Sequence, residues 1–137
     1  PFQAVVGTHL LDQVEGLVER RIRNARLLDD GLTGLTEFVH VPDRPSDYRE
    51  VYQLYQIGVQ RRHELLPYLL EKGVECKVHY PIPLHLQEAA ADLGYQPGDF
   101  PVCERQAAEI LTIPAHQHIE PEQIEYVIET IYAFYRR

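Results

Sequence analysis

An α+β fold, a small antiparallel or mixed sheet of about three strands covered by helices on one face, is what the sequence predicts, on three observations. A long apolar repeat at three- and four-residue spacing opens the chain, three short segments carry strand-like patterns, and helical patterns with proline starts or glycine ends separate and follow them. A ferredoxin-like arrangement of the same elements is the alternative.

The opening segment, residues 3–33, places Val6, Leu10, Val14, Leu17, Ile22, Ala25, Leu28 and Leu32 on one stripe and reads as a single long amphipathic helix. No Ser, Thr, Asp or Asn precedes Gln3 and only Pro1 marks a first turn, so the chain is expected to be a cut piece of a longer polypeptide. Gly31 and Gly34 are expected to stop the helix. Residues 37–41 read as a short strand, and the Pro- and Asp-rich segment 42–47 as a loop. Residues 51–59 alternate, with Val51, Gln53, Tyr55, Ile57 and Val59 on one face and Tyr52, Leu54, Gln56 and Gly58 on the other.

Residues 61–73 read as a helix ended by Gly73, with Pro67 kinking it or marking an early turn. A third strand is predicted over 74–80, with Val74, Cys76 and Val78 toward the core and Glu75, Lys77 and His79 away from it. Residues 84–94 read as a short helix closed by Gly94, and 99–111 as a helix with Asp99 as cap and Pro101 near its start. Residues 111–116 are a short extended piece. The last helix has Pro121 in its first turn and buries Ile124, Val127, Ile128, Ile131 and Phe134. The acidic pair Glu120 and Glu122 suits the helix dipole there.

A chain of 137 residues, 45% hydrophobic and 25% charged, fits one domain spanning 1–137. Its net charge of -8 argues against nucleic acid and against anionic membranes, both of which select basic surfaces. No apolar run approaches the roughly 20 residues of a membrane span, and a cytoplasmic protein is expected. Cys76 and Cys103 lie far apart without a CxxC spacing, and both are expected to be buried free thiols rather than metal ligands or a disulfide. His116 and His118 lack a third ligand of recognisable spacing, so a surface loop is expected there and no metal. His9, His40 and His63 are expected at edges or the core boundary.

Residues 77–87, KVHYPIPLHLQ, stand apart. Pro81 and Pro83 stiffen the backbone just past a strand end, so His79, Tyr80 and His85 are presented from a rigid turn. Ligand contact is one reading; a packed Tyr80 with histidines bonded to backbone is the other. No catalytic apparatus complete in itself is visible: no nucleophile elbow, no carboxylate pair beside a glycine-rich turn.

From residue 73 onward, the HYPIPLHLQ block, LGY followed by GDFPV and Glu104, ILTIPAH where LSLPMH is usual, and the closing IEYVIETI resemble, in order and spacing, the DegT/StrS family of pyridoxal-phosphate-dependent sugar-nucleotide aminotransferases. The opening helix, with its QAVVG start, and the 51–59 segment also fall where that family has its long helix and first clear strand, so the resemblance covers essentially the whole chain.

The resemblance implies the small C-terminal domain of a fold-type I transferase, with the large domain, its catalytic lysine and most of the pyridoxal-phosphate site upstream. No catalytic, cofactor-binding or metal residue is therefore expected within this chain, and neither Lys72 nor Lys77 takes the catalytic role. The parent would be a homodimer passing an amino group from an amino acid, commonly glutamate, to a keto sugar on a nucleoside diphosphate, in antibiotic or surface-polysaccharide biosynthesis. His79 and Tyr80 correspond to the motif pair lining the sugar-nucleotide cleft, and His85 falls in the same block. Lys77 stands where the family often has a small residue or arginine. It shares strand parity with His79 and is expected to offer a cation to the substrate's diphosphate. Two alternatives stay open: a dehydratase of the same family, distinguished by an upstream lysine-or-histidine choice, and a stand-alone α+β binding module, against which the uncapped first helix counts.

Overall fold

The structure, a computed structural model, describes residues 2–136. Pro1, read above as a first-turn marker, lies outside them. Helix α1 (Phe2–Gly31) is followed by strand β1 (Val39–His40), β2 (Tyr55–Val59), helix α2 (Arg62–Glu71), α3 (Pro101–Glu109), β3 (Ile110–Ile113) and α4 (Pro121–Tyr135). The sheet runs β1-β2-β3 with both pairings antiparallel. The sheet is thus the small antiparallel one of the α+β reading.

The core is built where the sequence periodicities converge. Val39, Tyr55, Ile57, Val59, Leu111 and Ile113 from the sheet share one buried cluster with Ala25 and Leu28 of α1, Leu65 and Leu69 of α2, and Ile124, Val127, Ile131 and Phe134 of α4. Burying each such side chain is worth about 1.5–3 kcal/mol. Ile128, expected on the α4 stripe, is only half-buried, while Tyr135 is buried and donates its hydroxyl to Gln60 O at 2.6 Å. Burial pushes that phenol up to about 12.

Helix α1 divides into two halves. Ile22, Ala25 and Leu28 are buried, whereas Val5 and Leu11 remain 67% and 65% exposed, with Val6, Leu10 and Val14 also open. The expected stripe is present along the helix, but only its second half is buried against the rest of the domain. Gly31 and Gly34 do not stop α1 through a left-handed turn. A Cβ at Gly31 would lie 2.3 Å from Ile128 Cδ1, and one at Gly34 2.3 Å from the Tyr132 hydroxyl, so both glycines serve the close approach of α4. Gly73 does take the left-handed conformation (φ +78°): its N–H bonds Leu70 O and Val74 N–H bonds Leu69 O, closing α2 as expected. Pro67 sits inside α2 on its exposed side.

Four expectations need correction. The 51–59 strand begins only at Tyr55, because Tyr52 has a positive φ of 47° and Arg21 occupies Tyr52 O and Gln53 O at 2.8 and 3.3 Å. The 74–80 strand contracts to one bridge, Lys77 with Thr112. Its continuation would pair Glu75 with Pro114, which has no N–H, while His79 O on the other side is taken by Gln56. The helix expected over 84–94 is two 3₁₀ segments, Leu84–Leu86 and Glu88–Leu93, ending in Gly94 at φ +78°. Asp99 does not cap α3: its carboxylate accepts Gln96 N–H at 2.8 Å, and Phe100 occupies the cap position.

Among smaller differences, Cys76 is buried but Cys103 is exposed, and His9, His40 and His63 are all exposed. Desolvation pushes the Cys76 thiol up to about 11, so it stays protonated at neutral pH.

The divided helix yields a direct comparison. Leu28→Ala is expected to lower the unfolding free energy by about 3 kcal/mol, and Leu10→Ala by less than about 0.5 kcal/mol, in urea denaturation of this chain. Equal losses would show that both halves of α1 are packed alike.

Candidate functional site

The 74–79 segment, the end of β3 with the turn after it, and the start of α4 enclose a cleft of about 710 Å³, lined by core side chains such as Ile113 and Val127 as well as by polar ones. Strand parity creates its polar side, with Thr112 and Lys77 in the lining and Gln56 beside them outside it. Gln56 and Thr112 face each other across β2 and β3, and Thr112 faces Lys77 across the bridge, so three polar side chains leave the same face of the sheet. His79 joins them: its Nδ1 lies 2.9 Å from Thr112 Oγ1, and Gln56 Nε2 donates to His79 O at 2.9 Å.

The rim is tied down by side chains that the sequence reading passed over. Asn24, fully buried on α1, donates to His116 O at 2.8 Å and anchors the turn after β3. Arg21 Nε donates to Gln117 Oε1 at 2.8 Å. At the other end of that turn the Gln123 side chain accepts Glu120 N–H at 3.0 Å and begins α4. Asn24 and Thr112 were visible as polar interruptions, Asn24 four residues before Leu28 on the apolar stripe and Thr112 inside an apolar strand pattern. His116 and His118 lie on an exposed turn at this rim, with His118 N–H donating to His116 Nδ1 at 3.2 Å. Among the described residues no group of three His, Cys, Asp or Glu side chains is placed to hold a metal.

Of the four residues singled out by sequence, the structure brings Lys77 and His79 together in the cleft. Lys77 does not present a free cation, since its Nζ lies 2.8 Å from Glu75 Oε1 with both side chains largely in solvent. That contact raises the Lys77 pKa and lowers that of Glu75, so the pair stays ionised at neutral pH. Tyr80 lies outside the cleft lining: it is 73% exposed, with its ring edge-on to His79 at 5.7 Å.

His85 belongs to a second cluster. Its side chain, 8% exposed, packs 4.7 Å from the Phe100 ring and sets Nε2 3.1 Å from Glu104 Oε1. Glu104 also accepts Gly98 N–H at 2.8 and 2.9 Å and Phe100 N–H at 3.2 Å. These bonds, Gly98's first, hold the carboxyl below its ordinary range against partial desolvation, with His85 adding to them.

The profile of the DegT/DnrJ/EryC1/StrS aminotransferase family matches residues 1–132. A pleiotropic regulatory protein of Geobacillus stearothermophilus is 35% identical over 98% of this chain and 37% of its own length. The dTDP-3-amino-3,4,6-trideoxy-alpha-D-glucose transaminase of Streptomyces venezuelae is 32% identical over 95% of this chain and 34% of its own. Among solved structures, S. venezuelae DesV in complex with a ketimine intermediate superimposes with a TM-score of 0.93 at 30% identity, over 98% of this chain and 36% of that one. The chain thus spans about a third of the length of these relatives, and its three-stranded antiparallel sheet with helices is the small domain of a fold-type I transferase.

The Glu104 cluster sets a pH dependence with a definite sign. A carboxyl whose folded pKa is depressed stabilises the fold above its unfolded value of about 4.3, and the contribution is lost as pH falls through the folded value. Glu104→Gln is therefore expected to lower Tm at pH 7, with the gap to the unaltered chain closing as pH drops below about 4. A gap that persists undiminished at pH 3 would overturn the ionic account.

Proposed function

The chain belongs to the DegT/DnrJ/EryC1/StrS aminotransferase family, and from that premise we propose that it is the small domain of a pyridoxal-phosphate-dependent enzyme. The enzyme transfers an amino group from an amino acid, with glutamate as donor, to a keto sugar carried on a nucleoside diphosphate. The observation that carries this reading is the superposition of nearly the whole chain on DesV, whose structure holds a ketimine intermediate. Names such as dTDP-3-amino-3,6-dideoxy-alpha-D-galactopyranose transaminase, borne by a relative 31% identical, support a nucleotide-linked sugar as substrate. Biosynthesis of antibiotic or surface-polysaccharide sugars, a cytoplasmic setting and a homodimer belong to the same reading. Among the described residues no helix is long and apolar enough to cross a membrane.

This chain's own residues do not fit pyridoxal phosphate. A lysine that forms an imine needs its amine uncharged. Lys77, the lysine in the cleft, is instead held protonated by Glu75, and Lys72 Nζ lies out over the Tyr68 ring at 5.8 Å. The cofactor would be held by the remaining two thirds of a protein as long as these relatives, and it supplies the electron sink for amino transfer. The part left to this chain is to bind and orient. His79, set by Thr112 and Gln56, offers a ring nitrogen to the sugar nucleotide. Lys77 exchanges Glu75 for the diphosphate, a contact that adds charge without new backbone order. Tyr80, exposed beside His79, lies against the same substrate. His85 acts one step back, through the turn it holds.

Three measurements test the reading. Incubated with glutamate and a nucleotide-linked keto sugar, the longer polypeptide containing this chain is expected to release 2-oxoglutarate and the amino sugar, read by mass spectrometry. Lys77→Ala should raise the KM for the nucleotide sugar about tenfold with kcat little changed, the pattern of a lost binding contact. The 137-residue chain titrated with pyridoxal phosphate should give no saturable imine band. A stoichiometric adduct at Lys77 would overturn the assignment of the cofactor to another part of the protein.

A further inference from the structure

Resting on the reading that the cleft receives a nucleotide sugar, we infer that Thr112, backed by Gln56, is a positioning residue that fixes His79 as its Nε2–H tautomer. The cleft then presents a neutral N–H donor to an oxygen of the substrate.

Thr112 is 9% exposed and lies at the centre of the polar wall. Its backbone is fully used by the bridge: Lys77 N–H donates to Thr112 O at 3.1 Å, and Thr112 N–H donates to Lys77 O at 2.8 Å. The hydroxyl is the one polar group it has left, and it stands 2.9 Å from His79 Nδ1.

The direction of that hydrogen bond follows from what lies behind it. The Gln56 amide nitrogen must face His79 O, because a carbonyl oxygen only accepts, and the bond is 2.9 Å long. The second N–H of the same nitrogen is directed at Thr112 Oγ1, 3.5 Å away. An amide NH₂ only donates, so the hydroxyl oxygen accepts there and keeps its proton to donate; among the described residues the acceptor within its reach is Nδ1, and the bond is read as running from the hydroxyl to the ring. An Nδ1 that accepts places the ring proton on Nε2. No acceptor among the described residues takes that Nε2–H, and His79 lines the cleft.

A purely architectural role would need only the Gln56 bond to the His79 carbonyl, which joins the 74–79 segment to β2. The additional contact between the Thr112 hydroxyl and the imidazole satisfies no backbone group; what it sets is the ring's rotation and tautomer. Such fixing of a histidine through its far nitrogen decides which nitrogen, in which protonation state, meets a ligand.

The test reads the tautomer directly. Two-bond ¹H–¹⁵N correlation spectra of the ¹⁵N-labelled 137-residue chain are recorded at about pH 8.5, some two units above the ordinary histidine pKa of about 6.5. The unaltered chain and Thr112→Ser are expected to show His79 as a single Nε2–H form. Thr112→Val should broaden it to a mixture of both tautomers, with the remaining histidines unmoved. An Nδ1–H form in the unaltered chain, or an unchanged single tautomer in folded Thr112→Val, overturns the inference. Should Thr112→Val fail to fold, the unaltered and Thr112→Ser spectra decide. Because the reading needs no substrate, it stands or falls apart from the proposed activity. Absence of amino transfer beside an intact Nε2–H form would overturn the activity alone.

Discussion

The antiparallel register of β2 against β3 is the constraint on which the rest of the domain depends. Tyr55 opposite Ile113 and Ile57 opposite Leu111 send four large apolar side chains into the core, and the same register puts Gln56 opposite Thr112 on the other face. A slip of one residue would turn the apolar pair of the shifted strand out of the core and bury its polar residue instead, a reversal that the core's burial energy forbids. The polar wall of the cleft is thus a by-product of the hydrophobic pattern. Lys77 and His79 inherit their places from it, since the bridge to Thr112 admits only one parity for the 74–79 segment, the parity that buries Val74 and Cys76.

The ends of the sheet are secured by side chains rather than by more strand. Tyr55 donates to Asp29 Oδ1 at 2.6 Å, and Arg44 reaches the same carboxylate while lying over the rings of Tyr52 and Tyr55. The Tyr55 phenol is raised far above its ordinary value, first by burial and then by that bond to Asp29, so it remains a donor throughout the accessible pH range. Arg49 grips Glu15 and Glu19, carrying the 42–50 loop onto the open half of α1. Such exposed pairs are individually weak. Their effect is to orient a loop that has no ladder of its own.

How much of this was legible in the sequence depends on whether a feature is periodic. The α4 stripe, the parity of Glu75, Lys77 and His79 and the alternation of 55–59 follow from spacing alone, and the structure keeps them. The contraction of the 74–80 strand to one bridge does not, because it depends on a proline just past β3, more than thirty residues away. Asn24 and Thr112 interrupt apolar patterns, which is a signal, but their partners at His116 O and His79 Nδ1 are distant in sequence and no local rule supplies them. The left-handed Tyr52 is likewise a long-range effect of Arg21. Family resemblance identified the HYPIPLH block as a unit, whereas the structure divides it.

That division follows from hydrogen-bond accounting. Between Val78 and Pro101 the chain has only 3₁₀ turns, so many of its N–H groups lack the partners that a helix or sheet would provide. Glu104, reaching back from α3, accepts from Gly98 and Phe100 and meets His85, so one carboxylate takes the place of a missing ladder. Gln87 adds a bond to Ile82 O at 3.2 Å. At the other end Gln56 and Thr112 hold His79. The stretch between them, with Tyr80 and two prolines, is fixed at both ends and, among the described residues, makes no side-chain bond to the core in the middle. A segment pinned in this way loses little conformational entropy when a ligand orders its exposed side chains, because the backbone has already been restrained by folding.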